Sequence, residues 1–112
     1  MQPKFTVLYM EAAREYLMGL DMKSREKIIY NIDKARHNYD KELFKKLYGE
    51  IWEFRTLYNR TYYRLFAFWD KSDNAQTLVI ATHGIVKKTG KTPEKEIVRA
   101  EQLRQLYFNL KK

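Results

Sequence analysis

Two runs of sequence and the dipeptide Asn59-Arg60 between them decide the fold: Ile51-Trp52-Glu53-Phe54-Arg55-Thr56-Leu57-Tyr58, then, after Thr61, Tyr62-Tyr63-Arg64-Leu65-Phe66-Ala67-Phe68-Trp69. Both runs are rich in aromatic and β-branched residues, the composition of a pleated, packed surface. A two-residue connector joins antiparallel strands directly, so Tyr58 faces Thr61, Leu57 faces Tyr62 and Arg55 faces Arg64. Side chains alternate across a strand. Trp52, Phe54, Tyr63, Leu65, Ala67 and Trp69 therefore share a core face. Glu53, Arg55, Tyr62, Arg64, Phe66 and Phe68 share the other.

Working outward, residues 77–83 form a third strand-like run after a turn at 70–74, which makes a meander. Residues 4–9 read as an opening strand. Residues 11–20 and a segment from about 22 to 39 read as helices. Asp21 or Ser24 caps the second, and Ile28, Ile29, Ile32, Ala35 and Tyr39 form its apolar stripe. Residues 41–49 read as a transition ended by Gly49. A last helix starts with Thr92 as cap, Pro93 at its first position, and Glu94 and Glu96 at the positive end of the dipole. Its stripe is Ile97, Ala100, Leu103, Leu106, Tyr107 and Leu110. The expected architecture is one α+β domain over residues 1–112. A small antiparallel twisted sheet carries two N-terminal helices packed on one face, with a C-terminal helix after it.

The chain has 112 residues, no cysteine and a formal net charge of +8. Thiolate chemistry and disulfide frameworks are excluded. No run approaches the roughly 20 apolar residues of a membrane span, no secretory leader opens the sequence, and no glycine-rich phosphate loop is present. A cytoplasmic protein without membrane contact is expected. The charge is uneven: residues 1–56 net +2, residues 57–84 net +1 and residues 85–112 net +5. Clustered cations point to a phosphate-bearing partner, because binding releases condensed counterions. A merely solvated basic surface is the alternative.

Three features carry candidate chemistry. Arg55 opposite Arg64 is unfavourable by up to about 1 kcal/mol unless an anion sits between them. Glu53 pairing with one arginine, the other reaching solvent, is the plain alternative. His83 closes the third run beside the loop Ile85-Val86-Lys87-Lys88-Thr89-Gly90-Lys91-Thr92-Pro93, where ammonium groups, hydroxyls and a helix N-terminus gather. Histidine titrates near neutrality, and nearby cations favour the neutral, proton-accepting form. His37, on the polar side of the second helix, lacks such company. No paired metal-ligand spacing occurs, so neither metal nor cofactor is expected.

The segments Ile51-Trp52-Glu53-Phe54-Arg55, Tyr63-Arg64-Leu65-Phe66, His83-Gly84-Ile85-Val86-Lys87-Lys88-Thr89 and the run from Lys91 to Ala100 together resemble the signature of HigB-type toxins of the RelE/ParE superfamily, which has many phage-derived members. The resemblance implies a RelE-like fold and a small helix-turn-helix (HigA-like) antitoxin as partner. It also implies metal-free, ribosome-dependent mRNA cleavage, in which a 2′-hydroxyl attacks the adjacent phosphate. Arg64, Arg55 and His83 then stand as catalytic candidates, and Lys87, Lys88, Lys91 and Lys46 as RNA-binding ones. Phe54 departs from the leucine usual in the Trp-Glu-Leu-Arg segment, and Gly90 from a common glutamine. Two other readings stay open: a gyrase-poisoning toxin of the same fold, and a non-catalytic nucleic-acid-binding protein of phage origin.

Overall fold

The computed structural model describes residues 2–72 and 77–111. Its elements are β1 (Thr6–Tyr9), α1 (Glu11–Met18), α2 (Met22–Asn38), β2 (Phe44–Tyr48), β3 (Ile51–Tyr58), β4 (Thr61–Asp70), β5 (Leu78–Lys87) and α3 (Glu94–Lys111). The central hairpin has the expected register, with Arg55 opposite Arg64 and Tyr58 opposite Thr61. Asn59 and Arg60 both adopt positive φ, at 52° and 60°. Such a turn matches the right-handed twist of its strands and locks the register.

The sheet has five strands in the order β1-β5-β4-β3-β2. It is antiparallel except at one edge, where β1 runs parallel to β5. The stretch 41–49 is not only a transition, since Phe44–Tyr48 forms the opposite edge strand. Gly49, at φ +57°, turns the chain back into β3. Phe44 stacks on Phe54 at 4.2 Å and on Trp52 at 4.9 Å. Consecutive Lys45 and Lys46 hide this strand in the sequence, since both are exposed on an edge where nothing packs over them. Of the turn expected at 70–74, Asp73 and Asn74 lie outside the described residues, while Asp70 ends β4. Strand β5 continues to Lys87, past the point where the loop was expected to begin.

The hairpin's core face packs against α1 and α2, through Ala13, Leu17, Ile28, Ile32 and Ala35. The other face packs Phe66 and Phe68 against Ile97, Ala100, Tyr107 and Phe108 of α3. Helices thus cover both faces. Asp21 caps α2 by accepting from the Ser24 amide at 3.0 Å. Ile29 and Tyr39, expected in the α2 stripe, are exposed, and Tyr39 ends the helix in the left-handed conformation. Leu106 and Leu110 likewise leave the α3 stripe for solvent, and Phe108 packs in their place. Asp70 anchors the end of α3. It accepts from Tyr107 Oη at 2.6 Å and Lys111 Nζ at 2.5 Å, and from Ser72. Burial opposes the charge on Asp70, but these donors outweigh it and hold the carboxyl far below its ordinary range.

Gly84 lies inside β5 because Tyr16 of α1 fills its side-chain space. A Cβ there would sit 2.3 Å from the Tyr16 ring, whose hydroxyl donates to the Ile85 carbonyl at 2.9 Å. Gly84→Ala must push Tyr16 off that bond, and a loss of about 1–3 kcal/mol is expected. Thermal denaturation beside Gly90→Ala is the check. The nearest atom to a Cβ on Gly90 is 3.9 Å away, so that variant should melt with the parent protein.

Candidate phosphate-binding site

Arg64 projects from β4 onto the face that it shares with Glu53, Arg55 and Tyr62. Its side chain is 2% exposed. The Nε lies 3.2 Å from Glu53 Oε1 without hydrogen-bond alignment, and Nη2 donates to the Gly90 carbonyl at 3.0 Å. The guanidinium carbon sits 5.2 Å over the Tyr62 ring. Arg55, directly across the ladder and about one-third exposed, places its Nε 3.7 Å from Glu53 Oε2. The buried Glu53 carboxylate therefore bridges both arginines rather than pairing with one. Thr92 donates its hydroxyl to Glu53 Oε1 at 3.1 Å. That bond takes the Thr92 side chain away from the helix-capping role expected of it.

Lys87 joins the same cluster from the end of β5, opposite Tyr62 in the ladder. Its Nζ is buried and has no hydrogen-bond partner among the described residues. Burial pushes the ammonium below the ordinary lysine value of 10.5, and Arg64 and Lys91 push the same way against the pull of Glu53. Burial also works against the charged form of Arg64, with Glu53 as its main support. Three cations, Arg55, Arg64 and Lys87, thus gather about one carboxylate, with Lys91 on the adjoining loop near enough to oppose the Lys87 charge. The local surplus is positive and partly desolvated, which strengthens attraction for an anion.

His83 sits apart from this cluster, fully buried. Leu65 pairs with Gly84 but Ala67 pairs with Ala81, so Phe66 faces both Thr82 and His83 in a β-bulge. The imidazole stacks on Phe66 with centroids 4.9 Å apart. Its Nδ1 lies 3.1 Å from Thr82 Oγ1 and its Nε2 3.0 Å from Glu96 Oε1. Both ring nitrogens are engaged, and the ring ties the first turns of α3 to the sheet. Burial lowers its pKa from 6.5; the Glu96 hydrogen bond works against this, and Arg99 adds to it. The unfolded chain therefore takes up a proton at a pH where the folded chain does not. Stability from this group is complete above about pH 6.5 and lost as pH falls below it. The melting temperature should drop between pH 7.5 and 5.5, and His83→Gln should flatten that part of the curve.

The remaining candidates are dispersed. Lys88 and Lys91 are exposed on the loop that Arg64 and Glu53 hold at Gly90 and Thr92. Lys46 faces Trp52, whereas Lys45 faces Glu53, so Lys46 is on the sheet face away from the arginines. Among the described residues no three His, Cys, Asp or Glu side chains gather as a metal site would.

Residues 15–105 match the family model described as phage derived protein Gp49-like (DUF891). The chain belongs to this family. No curated protein matches the sequence. Among solved structures, the Gp49-like chain is similar to a chain of the RelBE2 toxin–antitoxin complex from Mycobacterium tuberculosis, with a TM-score of 0.59 and 18% identity over 80% of this chain and 97% of that one. A chain of the intact RelBE toxin–antitoxin complex from E. coli matches with a TM-score of 0.54 and 17% identity, over 78% of this chain and 99% of that one. At such identities the likeness establishes the fold, which is RelE-like.

Sequence reasoning placed Arg55 and Arg64 together but gave Glu53, Thr92 and Glu96 only minor parts. Glu53 shares a strand face with Arg55, a signal that was available. The Thr92 and Glu96 contacts depend on where α3 docks, and no spacing in the sequence encodes that. An open cleft of about 390 Å³ adjoins the arginines, lined by Lys27, Asn31, Glu42, Leu43, Arg55, Leu57, Tyr62 and Arg64.

Proposed function

We propose that this chain is the toxin of a type II toxin–antitoxin pair and that it cleaves mRNA on the ribosome without a metal. One observation carries the reading: the buried Arg64 and the Lys87 ammonium, which has no hydrogen-bond partner among the described residues, converge with Arg55 around a single carboxylate. Such a cluster suits a scissile phosphate, whose oxygens accept from planar guanidinium groups. The 2′-hydroxyl of one nucleotide attacks the phosphorus, its proton passes to a base, and the 5′-oxygen leaves, forming a cyclic phosphate. Arg64 and Arg55 meet the charge that grows on the phosphoryl oxygens, which is where electrostatic stabilisation acts most strongly. Lys87 Nζ, desolvated and crowded by cations, is the proton acceptor this geometry favours. His83, held by Thr82 and Glu96, acts as a positioning residue for α3. Membership of a phage-derived family and likeness to chains of toxin–antitoxin complexes support a small antitoxin as partner.

The test is induction in cells with mapping of mRNA 5′ ends, beside an in vitro gyrase assay. Translation-dependent cuts that vanish with Arg64→Ala are expected. DNA breaks with intact transcripts would instead identify a gyrase poison, and neither effect would leave a non-catalytic binding protein.

A further inference from the structure

The cleft beside Arg55 and Arg64 is larger than a phosphate requires, and its chemistry is of a different kind. Its volume of about 390 Å³ falls within the ~300–1,000 Å³ range of small-ligand sites. Leu57 lines it from near the hairpin end of β3 and stays more than half exposed, so its side chain is free to meet a ligand. Tyr62, its cross-strand partner, is half-buried and braced by the Arg64 guanidinium. With Leu43 these side chains make the apolar part of a lining that also holds Lys27, Asn31 and Glu42. On the α2 side, Asn31 is nine-tenths buried and spends its amide nitrogen on Thr56 Oγ1 at 3.1 Å. The carbonyl oxygen is then the group it can offer, and Lys27 adds a donor. The lining is mixed, with Tyr62, Leu57 and Leu43 offering apolar contact and Lys27, Asn31 and Glu42 offering polar groups beside the two arginines. That combination fits a flat heteroaromatic ring with polar edges joined to a phosphate.

We infer that this cleft is a nucleobase subsite, taking the base of the nucleotide adjoining the clamped phosphate against Tyr62 and Leu57. The inference rests on the reading of the arginine cluster as a phosphate site, and it adds the group that fixes how the substrate enters. Base–aromatic contact tolerates any base, since each has a π-face. Selection among bases would come from Asn31 and Lys27.

The test is NMR titration of the full chain with 2′-deoxy dinucleoside monophosphates, which lack the attacking hydroxyl and stay intact. The same phosphodiester carrying an abasic sugar serves as the second probe. The dinucleotides should bind about tenfold more tightly than the abasic probe, and shift resonances of Leu57, Tyr62 and Asn31. Tyr62→Ala should erase that tenfold difference while abasic binding persists. Leu57→Ser, at an exposed position, should reduce the difference with the fold intact should Tyr62→Ala prove unstable. Arg64→Ala should weaken both probes. Equal binding of both probes, lost in Arg64→Ala, overturns the base subsite and leaves the phosphate clamp standing. Binding of neither probe overturns both.

Discussion

Arg64→Ala should lose both transcript cleavage and several kcal/mol of stability, and the two losses should be separable. Removal of a group that meets transition-state charge in a partly dry site lowers rates by about 10²–10³. The stability loss has a different origin. Arg64 is 2% exposed, and Glu53, 3% exposed, is its main electrostatic support. Deleting one partner of a buried pair strands the other charge, at a cost of about 3–5 kcal/mol. Here Arg55 and Thr92 still hold Glu53, which places the expected loss at the lower end of that range. The double variant Glu53→Ala/Arg64→Ala removes the stranded carboxylate. It should melt above Arg64→Ala alone, while cleavage stays absent. Denaturant unfolding of the two singles and the double gives the coupling energy. A double variant no more stable than Arg64→Ala would mean that Glu53 is not held by Arg64 in solution. A double variant that cleaves RNA would remove Arg64 from the mechanism.

The hairpin was legible because its information is local: alternation sets the faces, and a two-residue loop sets the register. Arg55 opposite Arg64 follows from those two facts alone. The edge strand β2 escaped because Lys45 and Lys46 break the alternation, and an edge has no outer partner to demand an apolar residue. His83 escaped for another reason. Its neighbours in sequence, a glycine and a basic loop, carry no signal of burial. The bulge opposite Phe66 and the docking of Glu96 bury it instead, and both come from distant parts of the chain. Lys87 was legible as a basic residue but not as one with a buried ammonium. The burial of its Nζ follows from β5 running four residues past His83, which sets the half-buried side chain beside Tyr62. Charge, in short, was readable from composition; desolvation was not, because desolvation belongs to packing.

The difference between Lys87 and His83 yields the sharper catalytic prediction. Lys87→Met should slow single-turnover cleavage by about 10²–10⁴, the usual worth of a general base. Only the neutral amine accepts a proton, so the rate of the wild-type protein should climb with pH and level off once Lys87 has lost its own. Burial, Arg64 and Lys91 hold that pKa below 10.5, which moves the climb toward neutrality. Lys87→Arg keeps the positive charge but cannot deprotonate at any accessible pH. It should therefore retain RNA binding, lose cleavage and show a flat pH profile. A role confined to phosphate binding predicts the opposite, since arginine would then serve as well as lysine. His83→Gln tests the other candidate in the same assay. Its nitrogens are 3.1 Å from Thr82 and 3.0 Å from Glu96, so substitution should loosen α3 without removing the climb in rate with pH. If the climb disappears in His83→Gln and survives in Lys87→Arg, the proton goes to the histidine, and Glu96 must release it during the reaction.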